Sequence, residues 1–226
     1  MALPASISAS AQDYAKAVYA LEAHEGAAVS TNDLAERLGV TPGSVSAMVR
    51  KLSEVGLVEH QPYHGVRLTA QGRRVALEVL RHHRLIELFL SEELGMSWDR
   101  VHAEAEVLEH VLSEDLEQLI ATRLGDPTLD PHGDPIPTVE FGIDETAARS
   151  LDELPLGASG RLVRVSDDPE MLRYLAGLGI ALGDRLEVVG RQPFGGPVFV
   201  RFGAQEHPIG GALARAMRIE TEEAIG

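Results

Sequence analysis

Residues 29–69 read VSTNDLAERLGVTPGSVSAMVRKLSEVGLVEHQPYHGVRLT, and this stretch decides the fold of the N-terminal part of the chain. It predicts two helices joined by a tight turn. Thr31 can cap the first helix, which ends at Gly39, a residue that suits helix ends. Thr41 can cap the second helix, with Pro42 at its first position. A helix, a turn and a second helix form the framework of many DNA-reading domains.

Two short apolar runs, Leu57–Gln61 and Val66–Thr69, follow the second helix and flank a turn at residues 62–65. They predict a β-hairpin, which turns the helical framework into a winged helix-turn-helix. The whole chain carries a formal net charge of −15, but residues 29–75 hold six basic and four acidic side chains. Because local charge governs docking to phosphates, the acidic total does not exclude DNA as a partner.

The residues expected to contact DNA are small or positively charged and lie mostly at the start of the second helix and on the wing: Thr31, Thr41, Pro42, Gly43, Ser44, Ser46, Ala47, Arg50, Lys51 and Arg67. Small side chains allow close approach to the major groove, and hydroxyls can bond to phosphates or bases. The basic side chains suit contacts with the DNA backbone. The alternative is that the same three-helix unit serves as a protein-interaction domain.

Farther along the chain, residues 101–111 read VHAEAEVLEHV. In one continuous helix, four side chains of this run share a face within an arc of about 100°: His102, Glu106, Glu109 and His110. Gathering these groups is unfavourable unless a positive charge compensates for it. A divalent cation would supply that charge, so the run predicts a metal site.

A second group of ligand-type residues, His82, His83 and Glu87, precedes the first on a long helix predicted from Ala70 to Leu94. His83 and Glu87 are four residues apart and share a helix face. The connection to the next helix is short, so the two helices are expected to form an antiparallel hairpin. In it, one ion could be held by His83, Glu87 and His102, and another by Glu106, Glu109 and His110. Taken alone, the pair of His83 and Glu87 is also typical of a solvated ion pair.

Composition limits the ligands and the location. The 226 residues include no cysteine, so a metal site must use nitrogen and oxygen atoms, with methionine as the one soft donor. No apolar run approaches the length of a membrane span, and the first residues do not resemble a secretory signal. A cytoplasmic location and no membrane partner are therefore expected.

A turn-rich connector is predicted at residues 126–155, and the sequence pattern of the C-terminal third after it is typical of β-strands. Strands are predicted at Arg161–Val165, Arg185–Arg191, Val198–Phe202 and Met217–Glu220, with one short helix at Glu170–Leu178. The expected fold class is mainly α with a small β domain.

The combined motifs resemble one known family. A winged helix is followed by His-x3-Glu at residues 83–87, His-x3-Glu-x2-Glu-His at residues 102–110 and Pro-x-Gly-x-Pro-Ile-Pro at residues 131–137. This order resembles the diphtheria toxin repressor family of metal-dependent transcriptional regulators, over nearly the whole chain. The resemblance implies a DNA-binding domain (1–74), a helical metal-binding and dimerisation domain (75–144), and an SH3-like β-barrel (145–226). The last segment is also similar to the SH3-like domains of ferrous iron transport proteins, which leaves an interaction role open.

The resemblance also implies two ligand sets. The primary site would use one residue of the first helix and three from the second run: Asp13, Glu106, Glu109 and His110. The ancillary site would use two histidines and a glutamate, with further ligands from the SH3-like domain: His83, Glu87 and His102, then Asp167 and Glu170.

The metal preference follows from where this chain departs from its relatives. Iron-responsive members have Met in place of Asp13 and Cys in place of Glu106, whereas manganese regulators have Asp and Glu there. Hard oxygen donors suit Mn²⁺ better than sulfur does. The resemblance therefore implies a manganese-type primary site in an iron-regulator architecture. Mn²⁺ is expected first, Fe²⁺ is the close competitor, and Co²⁺, Zn²⁺, Cd²⁺ and Ni²⁺ are expected to bind in vitro. Lys16 stands where manganese regulators often have a second carboxylate.

The function implied is a homodimeric repressor of metal-uptake genes that binds palindromic operators, with one or two dimers per operator. An enzyme is not expected, because the ligand helices lack Glu-x-x-His pairs and the chain lacks His-Glu-x-x-His, a nucleophile elbow and a phosphate loop. A winged-helix sensor of a non-metal ligand is the alternative regulator, and its DNA binding would not change after chelation.

Overall fold

The structure, a computed structural model, describes residues 7–61, 65–144 and 148–221, without the side chains of residues 24, 25 and 61. The chain forms two units, each built from segments that are separate in sequence. The first unit comprises Met1–Leu85, Ala105–Gly125 and Pro137–Ile143, and the second comprises Ile86–Glu104, Asp126–Ile136 and Asp144–Gly226. The predicted hairpin tip at residues 62–64 lies outside the described residues.

The N-terminal part of the first unit has the predicted winged-helix order. Three helices come first: α1 (Ala9–Glu25), α2 (Thr31–Leu38) and α3 (Pro42–Glu54). An antiparallel hairpin follows, made of β1 (Val58–Gln61) and β2 (Gly65–Leu68), and Val29 pairs with Val66 beside it.

These elements share one buried core. Helix α1 contributes Tyr14 and Val18, and α3 contributes Val45, Val49 and Leu52. Burying each such aliphatic side chain stabilises the fold by roughly 1.5–3 kcal/mol. Because α1 and α3 are packed into the same core, the position of one helix constrains the position of the other.

Side-chain caps set the starts of the two predicted helices. Ser30 caps α2, and its hydroxyl accepts a hydrogen bond of 3.1 Å from the Asp33 N–H. The prediction that Thr31 is the cap was wrong by one residue, because Ser30 has the extended backbone (φ −77°, ψ 153°) that a cap requires. Thr41 caps α3 as predicted, accepting from the Ser44 N–H at 3.2 Å.

Three further helices follow in the chain: α4 (Ala70–Glu92), α5 (Val101–Leu108) and α6 (Glu114–Arg123). Ser113 caps α6, and its hydroxyl accepts a hydrogen bond from the Leu116 N–H. Over the described residues, no helix combines the length and apolar character needed to cross a bilayer.

Helix α5 begins at Val101 and ends earlier than predicted. It ends at Leu108, since Ser113 must adopt an extended backbone (φ −81°, ψ 153°) to cap α6 a few residues later. The prediction of one continuous helix face up to His110 was therefore wrong, and residues 109–111 form a turn.

The second unit contains a six-stranded antiparallel sheet with two helices. The strands are β3 (Arg149–Ser150), β4 (Ser159–Val165), β5 (Arg185–Arg191), β6 (Val198–Phe202), β7 (Gln205–Ile209) and β8 (Met217–Thr221). The helices are α7 (Pro169–Gly177) and α8 (Gly211–Ala216). The strand order is β3-β8-β4-β5-β6-β7, so within the described residues β3 and β7 are open edges. The small β domain is confirmed, whereas closure into a barrel is not.

The bounds of β5 and β6 agree with the sequence-based prediction, but β3, β7 and α8 are not predicted. Strand β7 contains Pro208 in a polar run, a pattern that argues against a central strand. The strand forms because it lies at the sheet edge, where a residue without an N–H is tolerated.

Gly72 allows α4 to approach the wing closely, and its substitution provides a test of this packing. A Cβ at this position would lie 1.9 Å from the Leu57 carbonyl oxygen and 3.1 Å from Leu68 Cδ2. We expect Gly72→Ala to lower the free energy of unfolding by about 2–4 kcal/mol, measured by urea denaturation. Gly177→Ala is the control, because a Cβ there meets nothing within 4 Å. Equal stabilities for the two variants would contradict the packing described.

Candidate metal centres and nucleic-acid interface

Asp13, Glu109 and His110 form a group in the first unit that we call the first-unit cluster. One ligand atom from each residue lies within 4.8 Å of the others. His110 Nε2 lies 2.9 Å from Asp13 Oδ1 and 3.5 Å from Glu109 Oε1. Asp13 belongs to α1, whereas the other two follow the end of α5. The structure thus brings together three of the four residues predicted for the primary site.

Gln12 orients the His110 ring, a role that the sequence analysis missed. Gln12 Oε1 lies 2.6 Å from His110 Nδ1. An amide oxygen can only accept, so Nδ1 carries the proton and donates it. With Nδ1 held in this way, Nε2 faces Asp13 and is the ring atom that a metal ion would bind.

The environment of Asp13 Oδ1, which has no hydrogen bond, agrees with this arrangement. The atom is buried and has no hydrogen-bond partner, although His110 Nε2 lies 2.9 Å away. Two adjacent ligand atoms that bind the same octahedral cation, each at about 2.1 Å, lie about 3 Å from each other. Burial raises the pKa of Asp13, while the nearby charges of His110 and Lys16 oppose that rise. The donor atoms therefore fit a divalent cation, which would provide the missing partner of Asp13.

Lys16 holds the remaining predicted primary ligand. Its Nζ donates to Glu106 Oε1 at 2.7 Å and to Glu109 Oε1 at 2.6 Å. Burial lowers the pKa of Lys16, but the charge of Glu109 and the hydrogen bonds to both carboxylates outweigh burial and raise it. In this structure an ammonium group, one helical turn after Asp13, lies against the predicted metal ligands.

His83 also contacts the carboxylates of the first unit. Its Nδ1 hydrogen-bonds to Glu109 Oε2 and lies 3.8 Å from Glu106 Oε1. Glu109 is thus bonded through both oxygens, one to Lys16 and the other to His83. His83 is predicted to belong to the ancillary set with Glu87 and His102, and that grouping stays a prediction.

A buried network anchors the backbone of Glu109. His82 Nδ1 lies 3.1 Å from the Glu109 carbonyl oxygen, and its Nε2 lies 3.1 Å from Glu117 Oε2 on α6. Arg81 donates to Glu117 Oε1 at 2.6 Å and to the Pro137 carbonyl at 2.7 Å. Burial lowers the pKa of His82, but these acceptors outweigh it and raise the pKa, so both ring nitrogens can donate. The sequence analysis gave His82 no such role, because the contact depends on tertiary packing.

Glu87, His102 and Asp167 meet in the second unit, and we call them the second-unit cluster. His102 Nδ1 lies 3.2 Å from Glu87 Oε1 and 3.1 Å from Asp167 Oδ2. Glu87 is buried and Asp167 is half exposed. Asp167, a predicted ancillary ligand, thus lies beside His102, and its role as a ligand stays a prediction. Glu170 begins α7, and its described hydrogen bond is from its own N–H to Asp168 Oδ1.

His132 extends the second-unit cluster inward and was not predicted. Its Nε2 donates to the Trp98 carbonyl at 2.8 Å, and its Nδ1 lies 3.7 Å from Glu87 Oε2 and 4.0 Å from Asp130 Oδ2. Burial lowers the pKa of His132, but hydrogen bonding to Glu87 and the charges of both carboxylates raise it to about 9. The buried imidazolium thereby compensates for the charge of Glu87 and Asp130.

The residues predicted to contact DNA lie mainly on an exposed face of α3. Val45, Val49 and Leu52 are buried on the other side of the helix. The exposed members of the predicted set are Thr41, Pro42, Gly43, Ser44, Ser46, Ala47, Arg50, Lys51 and, on β2, Arg67. Thr31 is partly buried at the start of α2.

Comparison with known proteins places the chain in a family. Residues 6–66 match the model of the iron dependent repressor N-terminal DNA binding domain, and residues 69–138 match its metal binding and dimerisation domain. Residues 149–221 match the FeoA domain. The iron-dependent repressor IdeR of Mycobacterium tuberculosis is 33% identical over 220 residues, covering 92% of this chain and 95% of the relative. The chain belongs to the diphtheria toxin repressor family.

Other members of the diphtheria toxin repressor family are similarly close. The diphtheria toxin repressor of Corynebacterium glutamicum is 32% identical over 222 residues, covering 93% of this chain and 95% of the relative. A solved structure described as a manganese-dependent transcriptional repressor in complex with manganese has a TM-score of 0.88 and 44% identity. That match covers 94% of this chain and 100% of the other.

Membership in the diphtheria toxin repressor family makes this chain a metal-dependent transcriptional repressor and not an enzyme. The FeoA match also confirms the predicted similarity of the C-terminal segment to ferrous iron transport domains. Relatives named for iron and for manganese both occur, so family membership alone leaves the metal unresolved.

The raised pKa of His132 predicts a pH dependence of stability in the chelated, metal-free protein. The pKa rises from 6.5 to about 9 on folding, so protonated His132 adds to the free energy of unfolding. This contribution is complete below pH 6.5 and is lost as the pH rises through 9. We expect about 2 kcal/mol of this contribution to disappear between pH 7 and 9.5. Urea denaturation of the wild type and of His132→Gln at both pH values measures the difference. An equal pH dependence in the two proteins would show that His132 is not the group responsible.

Proposed function

We propose that this protein is a Mn²⁺-activated repressor that binds palindromic operators of metal-uptake genes. The observation that carries the proposal is the donor set of the predicted primary site. Three carboxylates, from Asp13, Glu106 and Glu109, accompany the single imidazole of His110, and no sulfur atom is present among them. Mn²⁺ binds weakly to most sites and prefers hard oxygen donors, so this set suits it better than a thiolate or thioether set would.

Fe²⁺ is the second candidate, and a specific observation favours it. The relative in Mycobacterium tuberculosis, which aligns over 92% of this chain, is named for iron. The similar solved structure that contains manganese supports the first candidate. The carboxylates at positions 13 and 106 are our reason for ranking Mn²⁺ above Fe²⁺.

Binding of metal at the proposed primary site would be coupled to the DNA-reading helix through packing. A bound divalent cation would supply the positive charge that allows Asp13, Glu106 and Glu109 to share one site. Asp13 lies on α1, whose Tyr14 and Val18 are buried in the core that also holds α3. Fixing Asp13 against Glu109 and His110 therefore restricts the position of α3. The protein would respond because metal favours the arrangement that is competent for DNA.

We assign the DNA contacts to the exposed face of α3 and to Arg67 on the wing. Arg50, Lys51 and Arg67 suit phosphate contacts, which orient the protein without reading sequence. The hydroxyls of the helix are already engaged, since Ser46 donates to the Pro42 carbonyl at 3.0 Å and Thr41 Oγ1 lies 2.9 Å from Ser44 Oγ. Because a hydroxyl that donates within the helix can still accept a hydrogen bond, base recognition would combine such contacts with apolar contacts to thymine methyl groups and with DNA shape.

Exposed apolar residues near α6 support a homodimer. Val107, Val111 and Leu119 are 70%, 76% and 67% exposed, and Leu108 and Leu116 are also exposed. Apolar surface of this kind in one region of the chain is typical of a contact with another protein. A two-fold dimer would present two copies of α3, as a palindromic operator requires. A second dimer on each operator and a cytoplasmic location are part of the same proposal.

We assign an ancillary metal site to His83, Glu87 and His102, with Asp167 as a further ligand. The distances of 3.1 and 3.2 Å that join Asp167 and Glu87 to His102 support these three members. Glu170 is a weaker member of the proposed set, because its described bond is to Asp168. We retain the division into residues 1–74, 75–144 and 145–226 as the functional domains.

Replacing the two hard donors tests the metal assignment. Each metal has a concentration at which DNA binding is half-maximal. We expect the double variant Asp13→Met and Glu106→Cys to raise the ratio of that concentration for Mn²⁺ to that for Fe²⁺ by at least about tenfold. DNA fragments enriched from a random pool by the Mn²⁺-treated wild type serve as the operator. Fluorescence anisotropy is measured anaerobically against free Mn²⁺ and free Fe²⁺.

Glu104→Cys is the matched control, because Glu104 is exposed on α5 and outside the proposed set. It should respond to both ions as the wild type does. A double variant that keeps the wild-type ratio of Mn²⁺ to Fe²⁺ response would contradict the assignment. Wild-type DNA binding that persists after chelation would favour a sensor of a non-metal ligand.

The dimer surface is tested by placing a charge on it. We expect Leu119→Glu to dissociate the dimer, because the carboxylate would have to be buried without a partner. The variant should sediment as a monomer at concentrations where the wild type is dimeric. Leu156→Glu is the control, since Leu156 is 70% exposed in the second unit. A dimeric Leu119→Glu protein would place the interface elsewhere.

A further inference from the structure

Lys16 is a positive charge built into the predicted primary site. The chain has only two lysines, Lys16 and Lys51, among its 20 basic residues. The Lys16 side chain is 17% exposed, and its Nζ lies 2.7 Å from Glu106 and 2.6 Å from Glu109. The ammonium group thus bonds to two of the three carboxylates that the proposed function assigns to the metal.

The atoms that Lys16 occupies are ones that a metal site would need. Glu109 Oε1, which accepts from Lys16, is also the oxygen that lies 3.5 Å from His110 Nε2. Glu106 Oε1 accepts from Lys16, and Glu106 is the predicted ligand that is missing from the first-unit cluster. A carboxylate oxygen that is fully engaged with an ammonium group is less available to a second cation.

We propose that Lys16 is an internal competitor for the metal, which holds Glu106 and Glu109 in the metal-free protein and releases Glu106 when metal binds. This inference rests on the proposed function. It adds a feature of the protein that adjusts how sensitive the repressor is to metal. The strength of the Lys16 contacts would set the metal concentration at which the repressor responds.

Lysine is chemically suited to this role. Its charge is a compact point on a flexible four-carbon stem, so it can swing away without disturbing α1. An arginine at the same position could bond to carboxylates through a planar fork, which would make release harder. Without either cation, the carboxylates of Asp13, Glu106 and Glu109 would repel one another in the metal-free protein.

Removing the ammonium group should therefore have two opposite effects. The metal-free protein loses a buried compensating charge, so its stability falls. Metal binding no longer requires the release of Glu106, so metal affinity rises. A residue with a purely structural role would lower stability without raising affinity, and a residue that supports the loaded site would lower affinity.

The test compares Lys16→Met and Lys16→Arg with the wild type, in the absence of DNA. We expect Lys16→Met to bind Mn²⁺ at least about tenfold more tightly, measured from the electron paramagnetic resonance signal of free Mn²⁺. We expect its Tm in chelator to fall by about 3 °C or more. Lys16→Arg should bind Mn²⁺ no more tightly than the wild type. Arg37→Gln, which removes an exposed charge from α2 in the same unit, should keep the wild-type affinity.

A second measurement needs no variant at position 16. Lysine labelled with 13C at Cε gives two signals, and Lys51→Arg assigns them. Saturation with Cd²⁺, a diamagnetic divalent probe, should shift the Lys16 signal and leave the Lys51 signal in place. A Lys16 signal that does not move at saturation would overturn the proposal, even if Lys16→Met failed to fold.

The outcomes separate this proposal from the proposed function. If the wild type binds Mn²⁺ and Lys16→Met binds it equally or more weakly, the competitor role is wrong and the metal assignment stands. If the wild type binds no Mn²⁺, the proposed function fails, and this inference fails with it.

Discussion

The structure depends on the convergence of negative charge around His110. Asp13 lies on α1, whereas Glu106 lies on α5 and Glu109 follows the end of α5, and Glu109 is buried. Such carboxylates repel one another unless a positive charge compensates for them. Lys16 provides one such charge, while the buried Asp13 Oδ1 has no hydrogen-bond partner. The site is therefore compensated only in part by the protein itself, and a divalent cation would complete it.

Compensation of the charge around His110 affects the rest of the first unit, because the elements that carry the site are packed against its other helices. Helix α1 carries Asp13 and Lys16 and is buried in the same core as α3, whose outer face is the candidate DNA-reading surface. On the other side, His82 and Glu117 join the backbone of Glu109 to α6, near the exposed apolar residues. One charge-sensitive site is thus linked through α1 to the helix that would read DNA, and through His82 and Glu117 to the helix that would form a dimer.

Local patterns predicted the winged helix, the cap at Thr41 and most strands, because caps and periodicity depend on neighbouring residues. The spacing of residues 102–110 identified ligand-type residues correctly but assumed a helix that actually ends at Leu108. Asp13 was found only through family resemblance, because its approach to His110 joins distant parts of the sequence. Gln12 and His132 were missed because their roles are hydrogen bonds and charge contacts created by tertiary packing. The edge strand with Pro208 was missed because its local pattern disfavours a strand.

Anomalous diffraction at the manganese edge, from crystals of the Mn²⁺-treated protein, tests the central claim most directly. The expected result is a strong peak bonded to Asp13, Glu106, Glu109 and His110, with Glu106 released from Lys16. The contradictory result is a peak only elsewhere in the molecule, with Lys16 still bonded to both Glu106 and Glu109.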